Sequence, residues 1–178
     1  TNGGTTWEKQ RLSTGTTTTN QIYWSSMIDA NTGWVVNYTP RPYMTTDGGA
    51  TWTVQNLVDA FGGFLYGIQM FNANTGYCVG SSGRVYKTTN GGALWDTVTV
   101  PTRSYAFYGC KFSTPMVGFI YGATGTTFFT MDGGNTWITQ NTAGATLYGG
   151  WLTADNKAFT VSSNAYIFKN TSTLTHSP

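Results

Sequence analysis

A turn of the form Asp/Asn-Gly-Gly followed by tryptophan occurs four times in this chain of 178 residues: "TNGGTTWE" at the start, "TTDGGATWT" at 45–53, "TTNGGALWD" at 88–96 and "TMDGGNTWI" at 130–138. Its tryptophans, Trp7, Trp52, Trp95 and Trp137, stand 45, 43 and 42 residues apart. A period near ~43 suits a unit of four short strands that must stack on its neighbours to bury its faces. Three further segments recur in phase. A first strand reads "IYWSSM" (22–27), "LYGIQM" (65–70), "FYGCKF" (107–112) and "LYGGWL" (147–152). A second reads "GWVVNY", "GYCVGS", "GFIYGA" or "KAFTVS", and a third "PYMTT", "RVYKTT", "TFFTM" or "AYIFKN". All are aromatic and β-branched runs bounded by Gly, Asn, Asp or Pro, and no stretch keeps a helical period. The expected fold is all-β, a β-propeller of about four four-stranded antiparallel blades of ~43 residues. We expect one domain over 1–178, with units at about 13–56, 57–99, 100–141 and 142–178, the last completed by 1–12.

The turn has a physical rationale. A carboxylate or amide at its first corner accepts hydrogen bonds from the amides just ahead, and glycine supplies the positive φ of a tight turn. The tryptophan then covers the turn while packing between sheets. Structural duty is therefore assigned to Asn2, Trp7, Asp47, Gly49, Trp52, Asn90, Gly92, Trp95, Asp132, Gly134 and Trp137.

Thr45-x-Asp47-x-Gly49-x-Thr51-Trp52 and Thr130-x-Asp132-x-Gly134-x-Thr136-Trp137 match the Asp-box, or BNR, pattern, and Thr88-x-Asn90-x-Gly92-x-Leu94-Trp95 departs from it by Asn and Leu. The chain thus resembles Asp-box propellers along essentially its whole length. Residues 72–92, "NANTGYCVGSSGRVYKTTNGG", are similar to the repeat of the Ycf48-like photosystem II assembly factors and their secreted bacterial relatives. That resemblance implies a scaffold that binds a protein partner. Asp boxes also occur in sialidases, xyloglucanases and sortilin-type receptors, so they specify architecture and not activity.

The last unit runs through "AYIFKNTST" into "LTHSP", while the N-terminal "TNGGTTWEK" carries the turn and tryptophan that this unit needs. We expect the N- and C-terminal strands to pair, closing the ring and hiding two edges. The competing expectations are a piece of a longer chain, or half of a ring completed by a second copy.

Catalytic chemistry is hard to build from these residues. A glycosidase needs two carboxyl groups about its bond. Asp47 and Asp132 belong to the boxes, and Asp29 and Asp155 to the first inter-strand turns, leaving Glu8, Asp59 and Asp96 unpaired in sequence. Four arginines, Arg11, Arg41, Arg84 and Arg103, bring no second sialidase motif with them. His176 is the one histidine, which argues against a triad or zinc site, and the boxes lack the alternating carboxylates of a calcium loop. No cofactor or metal is expected.

A net charge of +2 without a basic run argues against nucleic acid, and no apolar stretch is long enough for membrane insertion as a helix. Low charge, abundant Thr, Ser, Asn and Gly, and the triplets at Asn37 and Asn170 point to an extracellular, cell-surface or periplasmic setting. Cys78 and Cys110, in strand-like contexts, read as buried free thiols before a bridge.

Binding is expected at the irregular loops on the face opposite the boxes. They carry Tyr38, Arg41, Tyr43, Asp59, Phe61, Arg84, Arg103 and Tyr105, a composition suited to a protein segment or to sugar rings. The recurrent Tyr23, Tyr66, Tyr108 and Tyr148 are expected to pack as core about the axis. The sequence therefore reads as a non-catalytic recognition, adhesion or assembly domain with a protein or glycan ligand, single or as a homo-oligomer. The alternatives are a carbohydrate-binding accessory propeller and, third, a sialidase- or xyloglucanase-like hydrolase fragment.

Overall fold

The computed structural model of the protein describes residues 5–12, 21–59, 62–142 and 144–170. Its strands are β1 (Ile22–Met27), β2 (Gly33–Asn37), β3 (Tyr43–Thr45), β4 (Thr53–Val54), β5 (Leu65–Met70), β6 (Gly76–Gly80), β7 (Val85–Thr88) and β8 (Asp96–Thr97), followed by β9 (Phe107–Phe112), β10 (Gly118–Gly122), β11 (Thr127–Thr130), β12 (Ile138–Thr139), β13 (Leu147–Leu152), β14 (Ala158–Ser162) and β15 (Ile167–Lys169). They form antiparallel meanders in chain order, β1-β2-β3-β4, β5-β6-β7-β8, β9-β10-β11-β12 and β13-β14-β15. The all-β architecture and the repeat of the strands follow the sequence periodicity.

The second strand of each of the first three sheets is buried along its whole length, and in the second and third sheets a neighbouring sheet lies on either side of it. Trp34 and Val36 pack forward onto Leu65, Ile68 and Trp95. Tyr77 and Val79 pack onto Phe107, Cys110 and Ile120, and Phe119 and Tyr121 onto Leu147 and Ala158. The core is thus a series of inter-sheet layers, each made by two neighbouring repeats. Towards the axis, the Lys111 ammonium lies 5.8 Å from the ring of Trp24 and 5.8 Å from that of Trp151.

Each Asp box closes through its threonine. Thr45 Oγ1 accepts the Gly49 amide at 2.9 Å, Thr88 Oγ1 that of Gly92 at 2.9 Å and Thr130 Oγ1 that of Gly134 at 2.8 Å. The same hydroxyls donate to Asp47, Asn90 and Asp132, whose side-chain oxygens accept the amides of Thr51, Leu94 and Thr136. Asn2 lies outside the described residues.

The tryptophans do not share one fate. Trp95 is 0% exposed between the first and second sheets, whereas Trp52 and Trp137 are half-buried. Trp7 is 91% exposed and staples nothing within the described chain. The expected pairing of the N-terminal strand with β15 is not made among the described residues. Segment 5–12 contains no strand there, and Gln10 Nε2 donates to the Gly48 carbonyl at 2.9 Å, which holds the segment over the first box instead. Residues 1–4 and 171–178, part of that expectation, lie outside the described chain.

Cys78 and Cys110 are free and buried. Burial pushes both thiols up, Cys110 to about 12. Asn37 is also buried, at the end of β2, where its side-chain Oδ1 accepts the Thr39 hydroxyl, so its triplet presents no open acceptor for a glycan.

Trp95→Ala should cost about 3–5 kcal/mol in chemical denaturation, and Trp52→Ala clearly less, because only the first of these side chains is enclosed. Acid stability gives a second expectation. Hydrogen bonds from the Thr51 hydroxyl and amide, then from Thr45, hold the Asp47 carboxyl at about 2. For Asp132 burial pushes upwards, but bonds from Thr136 and Thr130 outweigh it and leave the carboxyl at about 2. Both folded values lie below the unfolded value of about 3.9, so their stabilisation is present above roughly pH 4 and lost as the pH falls through about 2. The double variant Asp47→Asn/Asp132→Asn, which copies the native Asn90, should lose less stability than the parent between pH 4 and 2 in urea titrations.

Candidate functional site

The two ends of the sheets differ in kind. At one end each box is tied to the turn after its first strand, as Gly48, Gly91 and Gly133 donate to the carbonyls of Asn31, Asn74 and Met116 at 2.9, 2.8 and 2.8 Å. At the other end, loops between second and third strands meet the loops that lead into first strands. Tyr38 donates to Gln21 at 2.9 Å, Ser81 to Phe64 at 2.9 Å, Ala123 to Ala106 at 2.9 Å and Ser163 to Thr146 at 2.8 Å.

A row of tyrosines runs across this second end. The ring centroids of Tyr23 and Tyr66 are 5.1 Å apart, those of Tyr66 and Tyr108 5.3 Å, and those of Tyr108 and Tyr148 5.7 Å. Each tyrosine sits in a bulge: the pairing skips from Ile22 to Trp24, from Leu65 to Gly67, from Phe107 to Gly109 and from Leu147 to Gly149. A bulge inserts one unpaired residue and re-aims its side chain, here out of the strand alternation. Glycine after Tyr66 lets the inner strands meet by their backbones, since a Cβ on Gly67 would stand 2.9 Å from the Gly109 Cα. The tyrosines are therefore part-exposed surface, not the core packing expected from the sequence. The signal available was the Tyr-Gly pair at one fixed place, but simple alternation cannot register an inserted residue.

Tyr38 extends the row. Its ring stacks on Phe64 with centroids 3.5 Å apart and lies 6.4 Å from Tyr23. Burial, with the neighbouring phenols of Tyr23, Tyr108 and Tyr38, raises the Tyr66 hydroxyl above its usual value. Phe64 was not among the expected site residues, because nothing local distinguishes it from other strand-entry aromatics.

The structure brings several other expected residues together. Arg84 Nη1 donates to Asp59 Oδ2 at 2.7 Å, and the Tyr86 hydroxyl donates to the Asp59 carbonyl at 3.1 Å. The Arg103 backbone packs on the same hairpin, where a Cβ on Gly83 would lie 2.2 Å from the Arg103 Cα. Tyr105 and Arg103 are exposed on that linker, and Arg41 is half-buried, its carbonyl accepting the Thr39 hydroxyl at 3.1 Å. Tyr43 is a correction: it is buried in β3, at the position that Tyr86 and Phe128 occupy in the next sheets, and cannot meet a ligand. Phe61 lies outside the described residues.

The acidic groups are dispersed. Asp29 accepts the amides of Asn31 and Thr32 in its turn, Asp155 is bonded to Thr153 and Lys157, and Asp59 to Arg84. Asp96 lies in β8 opposite Lys87, and Glu8 in the segment over the first box. Among the described residues no group of three or more His, Cys, Asp or Glu could hold a metal ion.

Asp-box meanders stacked side by side, with an aromatic row at the end away from the boxes, define a propeller-type fold. The sequence profile described as photosynthesis system II assembly factor YCF48 matches residues 1–101, and the chain belongs to that family. A structure titled "YCF48 bound to D1 peptide" is similar with 26% identity and a TM-score of 0.68, covering 83% of this chain and 50% of its own. YCF48 from Cyanidioschyzon merolae has 15% identity and a TM-score of 0.67, over 86% of this chain and 54% of its own. The Niastella koreensis GH74 enzyme has 16% identity and a TM-score of 0.66, over 83% of this chain and 28% of its own, a likeness of fold alone. The chain spans about half the length of the two YCF48 structures. No curated protein sequence matches it.

Proposed function

We propose that this protein is a non-catalytic scaffold that holds an extended protein segment across the tyrosine row. The observation that carries this is the row itself: four rings set at one level by four bulges, extended by the Tyr38–Phe64 stack. Tyrosine offers large, rigid, amphipathic contact area at low entropy cost, which suits peptide recognition. Arg103, exposed on the linker against the Gly83 hairpin, would select a carboxylate on the bound segment, and Arg84 is held in place by Asp59. Membership of an assembly-factor family supports a protein partner, and one relative is titled as bound to a D1 peptide.

The same rings could receive sugars, since the aromatic face is common to both kinds of recognition. The protein reading is favoured because of the family and because Asp29, Asp47, Asp132 and Asp155 are committed to turns and Asp59 to Arg84. We take residues 1–178 as one propeller domain, in an extracellular, cell-surface or periplasmic setting supported by the low charge and the Thr/Asn-rich composition.

The test is fluorescence anisotropy with a labelled D1 peptide and its scrambled counterpart. Specific binding is expected, and Tyr66→Ser/Tyr108→Ser should weaken it at least about tenfold, the loss expected of one strong contact, with the circular dichroism unchanged. Equal affinity for both peptides, or capture of oligosaccharides alone, would overturn the protein reading.

A further inference from the structure

What can lie on the tyrosine row is restricted by the groups around it that are already bonded. One common way for an extended segment to dock is to add a strand to a free sheet edge. That route is closed along the inner strands of the second and third sheets. The Met70 amide donates to Ser26 Oγ at 2.9 Å, the Phe112 amide to Gln69 Oε1 at 2.9 Å, and Gln69 Nε2 to the Phe112 carbonyl at 3.0 Å. Nearer the row the backbones themselves meet, at Gly67 and Gly109. The loops are bonded too. Gly80, Gly122 and Ser162 donate across their own hairpins to Arg84, Thr126 and Tyr166 at 3.0, 3.1 and 3.1 Å, and the amide after each is the one that ties its hairpin to the adjoining loop. A segment crossing this end is therefore held by side chains and not by a backbone ladder.

Those side chains offer flat rings and hydroxyls. Tyr148 and Tyr38 are exposed, and Tyr23, Tyr66 and Tyr108 are half-buried. The Tyr23 hydroxyl donates to Gln21 Oε1 at 3.2 Å, whereas those of Tyr66, Tyr108 and Tyr148 bond nothing among the described residues. Each of these three is a ready donor at the edge of an apolar face. The charge on the surrounding loops is positive. Asp59 neutralises Arg84, while Arg41 and Arg103 have no carboxylate partner among the described residues.

The segment that fits such a surface is rich in carbonyl acceptors, poor in backbone N–H groups and ordered before it binds. Proline meets all three conditions, since it has a carbonyl, no N–H and a fixed φ. A proline-rich chain takes up polyproline II, an extended helix without internal hydrogen bonds, whose rings pack on aromatic side chains. At ~3.1 Å per residue about five residues cover the three steps of 5.1, 5.3 and 5.7 Å from Tyr23 to Tyr148. An ordinary extended chain would instead set its own N–H groups against rings that hold few acceptors, and lose their bonds to water.

We propose that the row recognises a proline-rich segment of a partner protein in the polyproline II conformation, with acidic residues at its flanks. This rests on the reading of the row as a protein-binding site and names the kind of segment it takes. The rings of Tyr66 and Tyr108 pack on prolines while their hydroxyls donate to carbonyls of the segment. The acidic flanks complement Arg41 and Arg103, which favours encounter and sets orientation more than it adds affinity.

The test is fluorescence anisotropy of the 178-residue chain with a labelled peptide Asp-Pro-Pro-Pro-Pro-Pro-Asp and with its counterpart in which every proline is alanine. The proline peptide should bind at least about tenfold more tightly, because less order is lost on binding. Tyr66→Phe/Tyr108→Phe, which keeps both rings and removes both donors, should weaken it about tenfold, and Tyr66→Ser/Tyr108→Ser should abolish it, with the circular dichroism unchanged in each. Equal affinity for the two peptides overturns the proposal. So does proline-peptide binding that neither double variant weakens, because the segment then lies elsewhere. The D1 peptide is measured alongside: specific binding of that peptide at the row without any preference for proline overturns this inference and leaves the scaffold reading standing, whereas loss of both removes both.

Discussion

The threonine hydroxyl inside each Asp box is the bond on which the rest of the structure depends. It accepts one glycine amide and donates to the acidic or amide corner, so that a single buried group satisfies two partners. That bond holds the adjoining glycines at positive φ, as at Gly91 and Gly92 with φ of 74° and 87°. The chain then turns sharply enough to bring tryptophan back over the sheet. At Gly92 the fit leaves no room for a side chain: a Cβ there would stand 2.9 Å from Trp95 Nε1 and 3.2 Å from Trp34 Nε1. The turn thus does more than reverse the chain, because it sets where two neighbouring sheets touch.

Fixing the sheets at the box end leaves the loops at the other end free to vary. The hairpins there are short, with Ser82 and Gly83, and Thr124 and Gly125, all at positive φ, which matches tight turns between twisted strands. The first sheet departs from this, with Tyr38, Thr39, Pro40, Arg41 and Pro42 in place of such a turn, and its Tyr38 joins the aromatic row. Variation on a repeated frame is how one architecture serves many ligands. The bulges add a second device, since they turn one residue of every inner strand out of the core without breaking the meander.

Much of this was legible beforehand, and the reason is range. The contacts of Asp47, Asn90 and Asp132 fall within four residues, so the spacing Thr-x-Asp-x-Gly-x-Thr-Trp records them directly. The separation of box end from loop end follows from strand order alone. Trp7, Trp52, Trp95 and Trp137, however, share one local sequence and differ from wholly exposed to wholly enclosed. Tyr43 sits two residues past Arg41 in a loop-like stretch, yet it is enclosed in β3.

The sequence by itself determined the repeat, the all-β class, the box turns and the face on which loops would vary, because each rests on neighbours a few residues apart. Only the tertiary structure decided which tryptophans are covered, that the recurrent tyrosines form a surface row, and that Asp59 meets Arg84. These depend on which sheet lies alongside and on single-residue insertions in pairing. A strand's own residues do not encode either one, because burial is a property of the neighbour as much as of the side chain.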